Sequence, residues 1–192
     1  MFNYDIMSHM KNRLYIIAGP NGAGKTTLAH ELVKEEAITF LNADEIALRH
    51  KDDIGLLSGR ILLDKFDKLI SEQKSVVLES TISGNYHNRL IGLAHKAKYE
   101  IILVYIFLDS VKQNIERIKH RVAMGGHDVP SSDVIRRYNR SMKNFRDTVR
   151  KVDYWELYYN GENNYELVAR GRSDVLDIID DALYNKFIKE SK

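Results

Sequence analysis

The 192-residue sequence contains no cysteine, which excludes disulfide bonds, thiolate metal sites and a cysteine nucleophile. No apolar run approaches the roughly 20 residues that a membrane-spanning helix needs, and the longest run, residues 101–108, has the length of a strand. The formal net charge of +2 is too small by itself to indicate a nucleic-acid-binding protein. The first residues show no signal-peptide pattern. We therefore expect a soluble, cytoplasmic protein with no membrane partner, for which nucleic acid is a poor candidate ligand.

The length fits one domain with a sizeable core. Residues 1–12 contain three methionines and no clear period, so we expect a flexible leader there. A single domain is expected over residues 13–192.

Residues 19–26, Gly-Pro-Asn-Gly-Ala-Gly-Lys-Thr, fit the phosphate-loop pattern of glycine, four residues, glycine, lysine, then serine or threonine. An apolar run at 14–18 precedes the loop and a helix-forming stretch at 25–36 follows it, which is the context that the motif requires. The glycines let backbone N–H groups turn inward as an anion nest, and the helix N-terminus adds positive potential.

This loop predicts that Lys25 reaches the β- and γ-phosphates of a nucleotide and that the Thr26 hydroxyl ligates Mg²⁺. The alternative is a glycine-rich turn that binds no ligand. The predicted nucleotide-binding residues of the loop are Gly19, Asn21, Gly22, Ala23, Gly24, Lys25, Thr26 and Thr27.

Strand and helix patterns alternate along the chain, which argues for an α/β fold with helices on both faces of a parallel sheet. Together with the loop, this predicts a P-loop NTPase three-layer sandwich, with a mostly parallel sheet of five to six strands and a helical lid over about residues 117–140. The predicted strands cover residues 14–18, 37–41, 75–78, 101–108, 154–159 and 165–169. The predicted helices cover residues 25–36, 45–50, 54–71, 86–98, 111–123, 131–152 and 174–188.

Three acidic residues stand at or just after predicted strand ends, where open parallel sheets bind their ligands. Asp44 is our candidate for the carboxylate that orients an acceptor hydroxyl and takes its proton, with helix capping as the alternative. Glu79 ends an apolar strand, as a Walker-B acid does, and is expected to help hold Mg²⁺ through water or to bind substrate. Asp109 has the same appearance, but the pair Asp109-Ser110 opens a helix, so capping is favoured there.

Arginines mark the predicted lid. Arg117 and Arg121 lie four residues apart on one flank of a helix, where one guanidinium can stack on adenine and the other can grip phosphate. Arg136 and Arg137 lie on the non-apolar side of the next helix, and an arginine from a mobile lid would neutralise charge on a transferring phosphoryl group. The alternative for these arginines is a solvated helix face, with Asp133 pairing Arg137.

Four blocks occur in order along the chain: residues 19–27, Asn-Ala-Asp at 42–44, Glu-Ser-Thr-Ile-Ser-Gly at 79–84, and Arg-Val-Ala-Met-Gly-Gly-His-Asp-Val-Pro at 121–130. Residues 135–138, Ile-Arg-Arg-Tyr, follow them. Together these blocks resemble the zeta-toxin family of P-loop kinases over roughly residues 13–150. The resemblance implies a kinase that uses ATP and Mg²⁺ and phosphorylates the 3′-hydroxyl of the amino sugar in UDP-N-acetylglucosamine. It also implies an antitoxin protein as a possible partner.

The resemblance implies roles for particular residues. Lys25 and Thr26 are the phosphate and Mg²⁺ residues, and Asp44 is the catalytic base. The family places a second arginine in the loop where this chain has His127, and Arg136 or Arg137 is expected to replace it. We therefore assign catalysis to Asp44, Lys25, Arg121, Arg136 and Arg137, nucleotide binding also to Arg117, and metal binding to Thr26 and Glu79. The substrate-binding set is Asp44, Glu79, Thr81 and His127, although a lone loop histidine is more often a local hydrogen-bond partner.

Two other hypotheses remain at this stage. The acceptor could be another small metabolite or a nucleic-acid 5′-hydroxyl. The chain could also be an ATP-binding interaction module of a toxin–antitoxin pair with little activity.

Overall fold

The computed structural model describes residues 11–35, 38–42, 46, 56–162, 164–172 and 175–191. The predicted helix over residues 45–50 lies outside this part apart from residue 46, and nearly all of the predicted leader does too. None of the helices in these ranges is long and apolar enough to cross a membrane.

Seven strands within the described ranges form a single sheet in the order β2-β3-β1-β4-β5-β6-β7. The first five strands in that order pair in parallel, and the last two pairings are antiparallel. The strands are β1 (Arg13–Ala18), β2 (Thr39–Asn42), β3 (Val76–Ser80), β4 (Glu100–Phe107), β5 (Tyr154–Tyr159), β6 (Glu166–Arg172) and β7 (Val175–Ile178).

Helices cover both faces of this sheet, so the predicted three-layer α/β fold is confirmed. One face packs mainly against α1, through Leu28 and Leu32. The other face packs against α2, α3, α5 and α6, through side chains such as Phe66, Phe145 and Phe187. The helices are α1 (Lys25–Glu35), α2 (Leu56–Ser71), α3 (Tyr86–Lys96), α4 (Val111–Ala123), α5 (Ser131–Val149) and α6 (Asp181–Glu190).

Strands β1 and β4 occupy the middle of the sheet, and their apolar runs are buried on both faces, as parallel strands between two helical layers must be. The chain fills one side of β1 with β3 and β2 and then crosses to the other side with β4. This reversal creates a crevice at the carboxyl end of β1, where open α/β sheets bind ligands. The loop after β1 therefore starts at the position where a ligand is expected.

The C-terminal segment differs from its prediction. Residues 174–188 were predicted as one helix, but Val175–Ile178 form the edge strand β7 against β6, and α6 begins only at Asp181. The Asp180 carboxylate accepts a hydrogen bond from the N–H of Leu183 at 2.9 Å and caps this helix. The apolar residues at 175, 176, 178 and 179 fit the spacing of a helix and that of a strand, so the sequence pattern does not distinguish the two. The sheet consequently has one strand more than the predicted maximum.

Candidate active site

The loop between β1 and α1 turns tightly under the end of β4. Gly19 has φ = 137°, and a Cβ atom there would lie 2.1 Å from the carbonyl oxygen of Ile106. Only glycine allows both this backbone conformation and this approach. The contact brings the phosphate loop against the central strand, at the crevice that the sheet order creates.

Lys25 is folded back over this loop at the start of α1. Its side chain is 5% exposed, and Nζ donates a hydrogen bond to the carbonyl oxygen of Pro20 at 2.9 Å. Lys25 lines a cavity of about 180 Å³ together with other residues of the loop. A buried ammonium group beside inward-turned N–H groups is the arrangement that binds a polyphosphate.

Thr26 and Glu79 lie side by side at the ends of neighbouring elements. The Thr26 hydroxyl donates a hydrogen bond to Oε1 of Glu79 at 3.1 Å, and Asn42 Nδ2 donates to Oε2 at 2.9 Å. The parallel register sets Glu79 between Ile17 of β1 and Asn42 of β2, so the sheet itself fixes this carboxylate. A hydroxyl and a carboxylate oxygen are hard ligands of the kind that Mg²⁺ prefers, and Mg²⁺ commonly uses few protein ligands together with phosphate and water.

The donor set of the described residues fits such a magnesium site. No group of three or more histidine, cysteine, aspartate or glutamate side chains that could hold a metal is present within those ranges. Thr26 and Glu79 suit a cation that also binds phosphate oxygens.

Helix α4 supplies another wall of the cavity through Arg117, Ile118 and Arg121. Nη2 of Arg117 donates to the carbonyl oxygens of Asn160 and Gly161 at 2.7 and 2.9 Å. Arg121 is exposed, and its Nη2 donates to the carbonyl oxygen of His127 at 2.7 Å. Among the described residues that line the cavity, the two guanidinium groups and Lys25 outnumber the carboxylate of Glu79, and this excess of positive charge favours a polyphosphate ligand.

Several predicted site residues lie outside the wall of this cavity. His127 is exposed and contributes its carbonyl group to the Arg121 contact. Arg136 forms an ion pair of 2.7 Å with Asp133 on the same helix, so it is Arg136 rather than Arg137 that pairs with this aspartate. Arg137 is half-buried on α5, and it does not line the cavity.

The loop after β3 carries Thr81, which also lies outside the cavity wall. The Thr81 and Ser83 hydroxyl groups are 2.8 Å apart, and Ile82 between them has φ = 45°. This conformation is strained for a β-branched residue and costs about 1–3 kcal/mol. Asn144 of α5 donates to the carbonyl oxygen of Ile82 at 2.7 Å, so α5 holds the residue next to Thr81.

Asp44, the candidate base, lies outside the described residues. Asn42, two residues before it, ends β2 with its side chain on Glu79. The role of Asp44 therefore stays a prediction.

Asp109 is placed differently from its predicted role. Ser110 caps α4 by accepting a hydrogen bond from the N–H of Gln113 at 3.4 Å. Asp109 instead accepts hydrogen bonds from Lys186 and from the Tyr159 hydroxyl, and both lower the pKa of this carboxyl group. These contacts tie β4 to β5 and α6, and they assign Asp109 to the scaffold.

Four side chains near the loop were missed by the sequence reasoning: Asn42, Asn114, Asn160 and Tyr165. One of them left a signal. Asn114 lies three residues after Val111 and four before Ile118, so it falls on the apolar face of α4, where it is fully buried. A polar residue at such a position needs a hydrogen-bond partner, and its partner is the carbonyl oxygen of Asn21 at 2.7 Å.

Comparison with known proteins places this site in a family. The family model described as an AAA domain matches residues 14–145. An uncharacterised protein of Haemophilus influenzae is 31% identical over 134 residues, which cover 67% of this chain and 94% of that protein.

Two solved structures share the fold. A chain in the crystal structure of AvrRxo1-ORF1:-ORF2 with ATP superposes with a TM-score of 0.74 at 16% identity, covering 97% of this chain. This chain spans 66% of the length of that chain. A chain from the PezAT toxin–antitoxin system of Streptococcus pneumoniae superposes with a TM-score of 0.63 at 14% identity, covering 94% of this chain and 79% of that one.

Proposed function

The chain belongs to the family of AAA domains, and we propose that it is a kinase that transfers the γ-phosphoryl group of ATP to a hydroxyl group of a sugar nucleotide. One observation carries the proposal: the Thr26–Glu79 pair and two arginines of α4 line the same cavity as the phosphate loop. A phosphoryl-transfer site needs these parts together, because its catalysis is mainly positioning and charge stabilisation.

In the donor half, the loop N–H groups and Lys25 hold the β- and γ-phosphates. Thr26 and Glu79 would hold Mg²⁺, which would neutralise negative charge on the phosphate groups. Arg121 is exposed at the cavity, on the last turn of α4, and neutralises charge on the transferring group. Arg117 fixes the turn beside the loop and flanks the nucleotide. Arg136 or Arg137 joins them when the lid closes.

In the acceptor half, Asp44 orients the hydroxyl group and takes its proton as the bond to phosphorus forms. Thr81 and Glu79 contact the acceptor from the end of β3. The 3′-hydroxyl of UDP-N-acetylglucosamine is our proposed acceptor, and its support is the likeness of residues 79–84 and 121–130 to the zeta-toxin blocks. The fold shared with a chain of the PezAT toxin–antitoxin system is consistent with that likeness.

An interaction module is the second candidate. Each of the two solved structures named above belongs to a set of more than one protein: one is of AvrRxo1-ORF1:-ORF2, and the other is of the PezAT toxin–antitoxin system. An antitoxin-like protein is therefore our proposed partner. The module hypothesis predicts ATP binding without phosphate transfer to any acceptor.

The test is phosphate transfer from ATP to a panel of UDP-sugars, free sugars and oligonucleotides with a 5′-hydroxyl group, followed by mass spectrometry of the products. We expect a singly phosphorylated UDP-N-acetylglucosamine. Asp44→Ala should lower the transfer rate by about 10²–10⁴-fold, since it removes a general base. Lys25→Ala should lower it by about 10²–10³-fold, since it removes a donor aimed at the transferring charge.

The matched control is Lys34→Ala, which removes an exposed lysine from the last turn of the same helix and should leave the rate unchanged. Transfer by Asp44→Ala at the parent rate would refute the assignment of the base. ATP binding with no product from any acceptor would favour the interaction module.

A further inference from the structure

Three side chains from outside the phosphate loop hold its backbone carbonyl groups. Asn114 of α4 donates from Nδ2 to the carbonyl oxygen of Asn21 at 2.7 Å. Asn160, in the turn between β5 and β6, donates from Nδ2 to the carbonyl oxygen of Ala23 at 2.9 Å. The hydroxyl group of Tyr165, just before β6, donates to the carbonyl oxygen of Gly24 at 2.8 Å. We call Asn114, Asn160 and Tyr165 the loop clamp.

The clamp orients three peptide groups of the loop whose N–H groups can bind an anion. In a trans peptide, the C=O and the following N–H point in opposite directions. A donor that holds a carbonyl oxygen from outside the loop therefore turns the next N–H towards the other side. The N–H groups so turned belong to Gly22, Gly24 and Lys25, and all three residues line the cavity.

The two asparagines of the clamp form hydrogen bonds to the loop through their amide N–H groups and not through their amide oxygens. Asn114 is 0% exposed and Asn160 is 3% exposed, and the amide oxygen of each accepts no hydrogen bond within the part of the chain that the structure describes. A buried acceptor without a partner is unfavourable. An apolar side chain at either position would avoid that penalty. The presence of asparagine is therefore explained by the hydrogen bond that its amide N–H group donates to a carbonyl oxygen of the loop.

The turn that carries Asn160 is itself fixed against α4. Arg117 donates to the carbonyl oxygens of Asn160 and Gly161, and Gln113 Nε2 donates to that of Gly161 at 3.4 Å. The fit is close, since a Cβ atom on Gly24 would lie 2.4 Å from Nδ2 of Asn160. The clamp is thus a rigid connection between the loop and the hairpin of β5 and β6, which lies beyond the residues that the family model matches.

We propose that Asn114, Asn160 and Tyr165 are positioning residues that preset the loop N–H groups for phosphate, so that the hairpin of β5 and β6 is a working part of the nucleotide site. The proposal rests on the proposed function to the extent that the loop binds a nucleoside triphosphate. It predicts that the C-terminal hairpin increases the affinity for the phosphate chain of the nucleotide and does not change the affinity for the nucleoside.

The test variant is Tyr165→Phe, which removes one hydroxyl group and keeps the ring. The matched control is Tyr99→Phe, because the Tyr99 hydroxyl donates to the carbonyl oxygen of Lys74 at 3.0 Å, before β4 and so at the amino end of the strands. Binding of ATP, tripolyphosphate and adenosine is measured by calorimetry or by displacement of a fluorescent nucleotide. Tyr165→Phe should lower the affinity for ATP and for tripolyphosphate about 3- to 10-fold and leave the affinity for adenosine unchanged.

Asn160→Ser is the second variant, since its side chain is too short to reach the carbonyl oxygen of Ala23. We expect a loss of about 10-fold for tripolyphosphate, and a raised KM for ATP with a smaller change in kcat. Thermal unfolding of every variant separates loss of fold from loss of orientation. Tyr99→Phe should bind all three ligands as the parent does.

The proposal is overturned if Tyr165→Phe and Asn160→Ser bind tripolyphosphate as tightly as the parent. It is equally overturned if they lose adenosine and tripolyphosphate by the same factor, because that result describes a general structural role. If the parent protein binds both ligands and the variants bind them equally well, only the role of the clamp is refuted. If the parent protein binds neither ATP nor tripolyphosphate, the proposed function is refuted as well.

Discussion

The phosphate loop and the Arg121 side chain line the same cavity, but contacts of very different range hold them in place. Lys25 and Asn21 are each 5% exposed, and the loop around them is held by side chains that lie 93 to 141 residues away in the sequence. Arg121 is exposed, and its hydrogen bond to the carbonyl oxygen of His127 spans six residues. Long-range buried contacts resist local opening, whereas short exposed ones do not. The loop is therefore preorganised and the Arg121 side chain is free to adjust, as the kinase site that we propose requires for an acceptor to enter.

Gly19→Ala tests the rigid side and has the largest expected effect. The added Cβ would lie 2.1 Å from the carbonyl oxygen of Ile106 in a backbone conformation unsuited to alanine. We expect a loss of about 2–4 kcal/mol in the free energy of unfolding, measured by urea denaturation, together with loss of ATP binding.

The control for this change is Gly92→Ala, at an exposed position in α3 where an added Cβ meets no atom within 4 Å. It should stabilise the protein by about 0.5–1 kcal/mol, because alanine is the better helix former. Equal losses from both glycine changes would show that the loop is no more rigid than an ordinary helix surface.

Arg121→Ala tests the adjustable side. Removing this exposed guanidinium should lower kcat about 10²-fold, with a change of less than about 3-fold in ATP affinity and an unchanged unfolding midpoint. The control is Arg150→Ala, which removes an exposed arginine just after α5. A fall in ATP affinity that matches the fall in kcat would place Arg121 on the preorganised side and remove the distinction between the walls.

The pH dependence of stability tests how firmly the C-terminal end of α5 is held. There, His87 of α3 lies 3.2 Å from the Thr148 hydroxyl. Burial, with the nearby charge of Lys151, lowers the pKa of His87 from 6.5 to about 4. The unfolded chain therefore binds a proton near pH 6.5 that the folded protein accepts only near pH 4. Stability attributable to His87 is present above pH 6.5 and is lost as the pH falls towards 4.

We expect a loss of about 2 kcal/mol between pH 7.5 and pH 5, measured by urea unfolding at both values. His87→Gln should remove that part of the dependence, because glutamine does not titrate, while carboxyl groups elsewhere titrate in both proteins. An identical loss in the variant would show that His87 does not anchor α5 in the neutral form.

Much of the fold could be predicted because its signals are local. The phosphate loop, the strand β4, and α4 with its bounds at Val111 and Ala123 all follow from short patterns of glycine and apolar residues. The edge strand β7 could not be separated from a helix, because its four residues are too few to fix a period and its side chains are exposed.

The candidate site could be predicted only in part, because only some of its residues belong to local sequence patterns. Lys25, Thr26, Glu79, Arg117 and Arg121 were assigned from motifs, and the structure brings them to one cavity. The clamp could not be assigned, since Asn160 and Tyr165 reach the loop through the pairing of β4, β5 and β6. Residues 160–161 fall between the predicted strands 154–159 and 165–169, and nothing in their sequence indicates which residues they contact.

The distance along the chain between the loop and the hairpin also sets an order of events during synthesis. The hydrogen bonds to the carbonyl groups of Ala23 and Gly24 join residues 137 and 141 positions apart. At a translation rate of about 5–20 residues per second, the loop leaves the ribosome on the order of 10 s before its partners exist. A nascent chain in that interval carries the whole phosphate-loop motif without Asn160 or Tyr165 to hold it. The motif is therefore among the first parts of the domain to be made, and its hydrogen-bonded frame is among the last.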